Sequence, residues 1–176
     1  ADKGDFKDFM SKEIDEQSST TKKCINEYLD KTRKEINIYN LPIDPKKINK
    51  IRLIACGTAY HSCLIAKYWI EEFTSLDVDA DIASEFRYRN KHIDSNSLVI
   101  AISQSGETAD TLAAQREAVS KGSKTLAICN VFGAMLTREA VGTIHTHAGP
   151  EIGVASTKAF TCQLAAVLLF ALHLSR

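Results

Sequence analysis

The spacing of apolar positions changes character at about residue 50. Beyond that point, short β-branched runs at 51–56, 78–83, 98–102, 125–129 and 141–145 predict five strands. Longer segments of helical spacing separate them. Residues 59–73 carry Tyr60, Leu64, Ile65, Tyr68, Trp69 and Phe73 on most faces, which predicts a helix covered on more than one side. In 107–121 a stripe of Ala109, Leu112, Ala113 and Val119 ends at the helix-stop pair Lys121-Gly122, and a last helix is expected over 156–174. Parallel strands need crossover connections, and helices of this length supply them. The expected fold is three-layer, doubly wound α/β: a mostly five-stranded, flavodoxin-like parallel sheet with helices on both faces.

The first 50 residues read differently. They hold 21 of the 44 Asp, Glu, Lys and Arg residues, so this segment is mostly solvated. Phe6, Met10, Ile14, Ile25, Tyr28 and Leu29 recur at helical spacing. They predict a helical arm, broken near Ser18-Ser19-Thr20-Thr21 and ended by the turn chemistry of Asn40-Leu41-Pro42 and Asp44-Pro45. Residues 1–50 are therefore expected to pack as a peripheral arm on a domain spanning 51–176. The chain opens on Ala1 rather than Met and stops at Arg176 just after an apolar run, which reads as a piece of a longer protein.

Composition narrows the function classes. A chain of 176 residues, 44% hydrophobic, can bury a substantial core. A formal net charge of zero without a long basic run argues against nucleic acid as a partner, so any anion is bound locally. No leader and no apolar run of spanning length point to a membrane. Cys24, Cys56, Cys63, Cys129 and Cys162 are odd in number and lack a C-x-x-C pair, which fits reduced thiols in the cytoplasm. His61, His92, His145, His147 and His173 show no metal-ligand spacing, and neither metal nor cofactor is expected.

In open α/β sheets, ligands bind beyond the carboxyl ends of the strands. Three loops qualify here: Cys56-Gly57-Thr58-Ala59, Ser103-Gln104-Ser105-Gly106, and the stretch 148–158. All carry glycine and hydroxyls. The second is the most informative, because an apolar run enters Ser103-Gln104-Ser105-Gly106-Glu107-Thr108 and a helix follows. The first helical turn leaves backbone N–H groups unpartnered and carries about half a positive charge, so a phosphate there gains donors and field. Gly106 permits a tight turn, while Ser103, Ser105 and Thr108 add three neutral hydroxyls. The pattern points to a phosphorylated small molecule. Neither G-x-G-x-x-G nor G-x-x-x-x-G-K-[ST] occurs, which removes two common nucleotide readings.

Longer strings sharpen this. C-G-T-x-Y-x-S, S-E-F-R-Y-R, S-Q-S-G-E-T-A-D-T-L-A, A-I-C-N-V, E-I-G-V-A-S-T-K-A-F and the early K-E-I-x-E-Q together resemble the sugar isomerase (SIS) region of the glutamine:fructose-6-phosphate amidotransferases, also called glucosamine-6-phosphate synthases. The likeness runs from about Lys3 to Leu174 and implies the first of two SIS modules. It implies fructose 6-phosphate and glucosamine 6-phosphate as ligands, a second SIS module and a glutaminase domain as neighbours in the parent chain, and a homodimer. By the same resemblance, Ser103, Gln104, Ser105 and Thr108 hold the phosphate, while Cys56, Gly57, Thr58, Val154, Ala155 and Ser156 line the sugar. Ala59 stands where the family usually has serine, and Ser18 where proline often follows E-Q. The family's base and ring-opening groups lie in the second module or the C-terminal tail, so no catalytic residue is expected in this chain and it should turn over nothing alone.

Other residues have plainer readings. Lys158 at the start of the last helix opposes the helix dipole and should pair structurally, Glu151 being the first candidate. Glu85, Arg87 and Arg89 read as a solvated or salt-bridged helix start, and His145-x-His147 as surface or core chemistry. Cys56 reads as a packed thiol. Two other classes stay open: a non-catalytic phosphosugar-sensing module of a regulator, and a serine hydrolase suggested by the strand-Ser-Gln-Ser-Gly-helix outline. Ser103, however, stands where a nucleophile elbow wants its first glycine.

Overall fold

In the computed structural model, which describes residues 2–39, 41–89 and 92–175, the predicted apolar runs form one five-stranded parallel sheet. Its elements are β3 (Lys50–Ala55), α3 (Thr58–Phe73), β4 (Asp77–Ile82), α4 (Ala83–Phe86), β5 (Ser97–Ser103), α5 (Ala109–Ser120), β6 (Lys124–Cys129), α6 (Met135–Glu139), β7 (Gly142–His145) and α7 (Lys158–Leu174). Ahead of them lie α1 (Phe9–Asp15), α2 (Gln17–Tyr28), a short pair β1 (Leu29–Asp30) and β2 (Glu35–Ile36), and a 3-10 turn at Pro45–Lys47. The sheet order is β4-β3-β5-β6-β7, all parallel, with Ile54 opposite Ala101 and Ser103 opposite Cys129. The chain reverses its direction of travel between β3 and β5, which leaves a crevice at their carboxyl ends.

Strand alternation divides the core. Ile51, Leu53, Leu98, Ile100 and Ile102 face α3 and α7, together with Cys24 and Ile38 from the first 50 residues. Ile54, Val99 and Ala101 face the opposite layer, where Phe86, Leu112, Ala118 and Leu136 cover them. Arg52 emerges on that second face and reaches Asp79 at 2.8 Å. The helix start read at Glu85 is the single turn α4, which ends at Phe86, and the short helix α6 was not anticipated, because five residues carry too little periodicity to read.

Three expectations need correction. The arm breaks at Glu16, not at Ser18-Ser19-Thr20-Thr21, which lies inside α2. Ser19 and Thr20 donate their hydroxyls to the Glu16 carbonyl, both at 2.9 Å, so these side chains bond within the helix instead of interrupting it. Helix then stops at Tyr28, well before Leu41-Pro42, and Asn40 lies outside the described residues. Asp30 accepts the amides of Thr32 and Arg33 and closes the β1–β2 turn, a local alternative to continued helix. On α5 the buried side is Thr111, Leu112, Ala114, Gln115 and Ala118, whereas Ala109 and Val119 are exposed. The polar Thr111 and Gln115 concealed that face from a purely apolar stripe.

Candidate functional site

The turn after β5 is held from three sides. Ser103 is buried, and its Oγ accepts the Gly106 amide at 2.9 Å, while Ser105 Oγ accepts the Glu107 amide at 3.2 Å. Asn130 in the β6–α6 loop donates its backbone N–H to the Gln104 carbonyl, and Leu136 in the first turn of α6 donates its backbone N–H to the Gly106 carbonyl. Glu107 in turn accepts the Met135 amide at 2.8 Å. Gly106 has φ +69°, and a Cβ there would lie 2.6 Å from Ala134 Cβ and 2.8 Å from Cys129 Sγ. Backbone conformation and lack of room both require glycine at this position.

This geometry amends the anion reading. Two turn amides, those of Gly106 and Glu107, are taken by serine oxygens rather than left for a ligand. Each serine keeps its O–H to donate. Thr108 begins α5 without a side-chain capping bond, so its hydroxyl does not occupy the first-turn amides.

One cavity of about 200 Å³ brings most of the predicted residues together. Ser103, Gln104, Ser105 and Thr108 line it from β5 and the start of α5, Cys56 and Thr58 from β3 and α3, and Val154 and Ser156 from the loop before α7. Gly57 and Ala155 do not reach its lining. Gly57 instead starts α3 with φ +58° and ψ −139°, a backbone shape that suits glycine. Ala59, Ile102, Thr111 and Gln163 also line it and were missed, apart from the note that Ala59 lacks a serine hydroxyl. Thr111 Oγ1 and Gln163 Oε1 are buried and have no hydrogen-bond partner among the described residues. A glutamine in the middle of the mostly apolar α7 was the signal available for the second.

The lining carries no Asp, Glu, His, Lys or Arg. An anion bound here meets neutral donors and the positive end of α5. No general base stands beside Ser103, Ser105 or Cys56 within this lining, which leaves the nucleophile-elbow reading without a partner. Cys56 is half-buried, whereas Cys24, Cys63, Cys129 and Cys162 are buried. Burial pushes the Cys24 thiol up to about 12 and raises the other three as well.

The third loop is built on carboxylates. Glu151 accepts the Thr157 amide at 2.9 Å, the Ala159 amide at 3.1 Å and the Ser156 hydroxyl at 3.1 Å, capping α7. Lys158 therefore does not pair with Glu151 as expected. Its Nζ reaches Glu16 of the arm at 2.6 Å, and Glu151 is spent on the helix terminus. Asn130 ties the same loop to β6, donating to Gly149 and accepting from Ala148 and Thr146. Arg87 and Arg89 are salt-bridged, to Asp110 and Asp81, but they follow the end of α4 at Phe86 rather than starting a helix. His145 stacks on Phe132 with ring centroids 3.8 Å apart, and burial lowers the pKa of both His145 and His147. Among the described residues no three His, Cys, Asp or Glu side chains are placed to share a metal ion, and no helix is long and apolar enough to cross a membrane.

A family model described as the SIS domain matches residues 46–173. The chain is 49% identical along its whole length to the glutamine–fructose-6-phosphate aminotransferase (isomerizing) of Clostridium tetani, and 50% identical to that of Mycolicibacterium smegmatis. It spans only 29% and 28% of those relatives, respectively. Among solved structures, the C-terminal domain of glucosamine-fructose-6-phosphate aminotransferase from Francisella tularensis matches 99% of this chain at 41% identity and a TM-score of 0.93. The chain covers 49% of that structure.

Proposed function

Because this chain belongs to the SIS domain family, we propose that it is the fructose-6-phosphate-binding half of the isomerase region of a glutamine-dependent glucosamine-6-phosphate synthase. The observation that carries this is the uncharged cavity at the β3/β5 crevice, closed on one side by the hydroxyl-bearing turn 103–108. Ser103, Gln104, Ser105 and Thr108 hold the phosphate with neutral donors and the α5 terminus, each bond to the charged group contributing about 1.5–3 kcal/mol. Cys56, Thr58, Val154 and Ser156 surround the sugar, and Gly57 and Ala155 shape the two loops that carry them. Thr111 Oγ1 and Gln163 Oε1, which have no hydrogen-bond partner among the described residues, accept sugar hydroxyls.

Moving a proton between sugar carbons needs an acid or base in contact with the substrate. The lining residues supply none, so the chain binds and orients while the rest of a longer protein performs ring opening and proton transfer. That protein works in the cytoplasm, as a dimer, at the entry to amino-sugar nucleotide synthesis. The arm 1–50 serves the domain 51–176.

Calorimetric titration of the 176-residue chain with fructose 6-phosphate, fructose and inorganic phosphate tests this. We expect binding of the two phosphates but not of fructose, and a loss of at least about tenfold in Ser105→Ala, the lower end of one hydrogen bond to a charged group. Absence of binding at millimolar fructose 6-phosphate, or turnover by the isolated chain, overturns the proposal.

A further inference from the structure

Glu13 is the only buried residue of α1. Its carboxylate does not face solvent or a cation on its own helix. Oε1 accepts the Ile152 amide at 2.6 Å and the Gly153 amide at 3.2 Å, and Oε2 accepts the same Gly153 amide at 3.0 Å. These two amides lie directly before Val154, which lines the cavity. Val154 is fully exposed, so its own side chain anchors nothing in this chain. Gly153 is fitted to the carboxylate as well: a Cβ there would stand 2.6 Å from Glu13 Oε2 and 3.4 Å from Met10 Cε. The loop that carries Val154, Ala155 and Ser156 is thus fixed at its far end by the Glu151 cap of α7, and at its near end by a carboxylate from 140 residues away.

We infer that Glu13 is a positioning residue for the sugar side of the cavity, so that the N-terminal arm sets how tightly the sugar is held. The inference rests on the proposed function for its ligand. It divides the site in two. The phosphate turn 103–108 is held by Asn130 and Leu136 and, among the described residues, by no hydrogen bond to the arm, whereas the 152–156 loop depends on the arm directly. A charged acceptor clamping two adjacent backbone amides preorganises a loop that would otherwise lose conformational freedom on binding.

The test compares wild type, Glu13→Ala and Glu13→Gln in the 176-residue chain. Fructose 6-phosphate and inorganic phosphate are titrated separately, and amide exchange is followed at Ile152 and Gly153. We expect Glu13→Ala to weaken fructose 6-phosphate about tenfold while inorganic phosphate binds as in wild type. Exchange at Ile152 and Gly153 should accelerate at least tenfold, with Leu112 on α5 unchanged. Glu13→Gln, which keeps one acceptor oxygen, should fall between the two. Equal weakening of both ligands marks general unfolding and overturns the inference, as does unchanged fructose 6-phosphate affinity in Glu13→Ala. Failure of wild type to bind fructose 6-phosphate removes the proposed function and this role with it.

Discussion

Lys158 Nζ lies 2.6 Å from Glu16 Oε2, joining the first turn of the last helix to the arm across 142 residues. The lysine side chain is 5% exposed and the glutamate 30%, so the cation is the deeply placed partner. Stranding a buried charge costs about 3–5 kcal/mol when both partners are enclosed. Partial access of water at Glu16 lowers that, and Glu16→Ala should cost about 2 kcal/mol in denaturant unfolding. Adding Lys158→Met should recover most of the loss. A double variant no more stable than Glu16→Ala would show that the ion pair is not the source.

Gly106 and Gly122 both have positive φ but differ in surroundings. Gly106→Ala meets Ala134 Cβ and Cys129 Sγ at under 3 Å, whereas nothing lies within 4 Å of a Cβ at Gly122. Left-handed backbone costs about 1–2 kcal/mol for a residue with a Cβ, and overpacking adds about 1–3. We expect Gly106→Ala to lose at least twice the stability lost by Gly122→Ala, with weaker phosphate binding in the first alone. Equal losses in the two would show that steric room at Gly106 is irrelevant.

Gln163 offers a change of opposite sign on folding and on binding. Its Oε1 is buried without a partner among the described residues, a situation costing about 1–3 kcal/mol. Gln163→Leu should leave thermal stability equal or higher while weakening fructose 6-phosphate several-fold. Destabilisation of the ligand-free chain would mean that the amide serves the fold instead.

His145 and His147 have pKa values below that of a free imidazole, chiefly through burial. Unfolded imidazoles titrate near 6.5, so below that pH the unfolded chain takes up protons that the folded chain refuses. Stability should therefore fall as pH drops from about 7 through 6.5, and this contribution ends below the folded-state values. Thermal unfolding at about pH 7.5 and 5.5 should give a lower Tm at the acid end. His145→Asn combined with His147→Asn should flatten that slope; an unchanged slope would assign the effect to other groups.

Much of the fold was legible because strand and helix periods are local. Each of the five strands falls within a residue or so of its apolar or β-branched run. The central β3, β5 and β6 are buried on both faces and so mostly apolar, while the edge strands β4 and β7 keep enough buried apolar positions to read. The α5 face was misread at Val119, because burial there is shared with Thr111 and Gln115, whose polarity hides the stripe. The loops that build the cavity were legible from the rule that ligands sit at strand carboxyl ends. Gln163 was not, as one amide in an apolar helix gives no direction until neighbouring elements place it.

The sequence by itself determined the doubly wound sheet, the hydroxyl-rich turn at a helix start and the glycine it needs, because these depend on residues a few positions apart. Only the tertiary structure decided which partners the charges take. Glu13 on the Ile152 and Gly153 amides, Glu16 on Lys158 and Glu151 on the α7 terminus each replace a pairing that proximity in sequence would suggest or leave blank. Carboxylates are interchangeable in sequence. Desolvation makes them specific, since a buried charge persists only where the fold brings it donors.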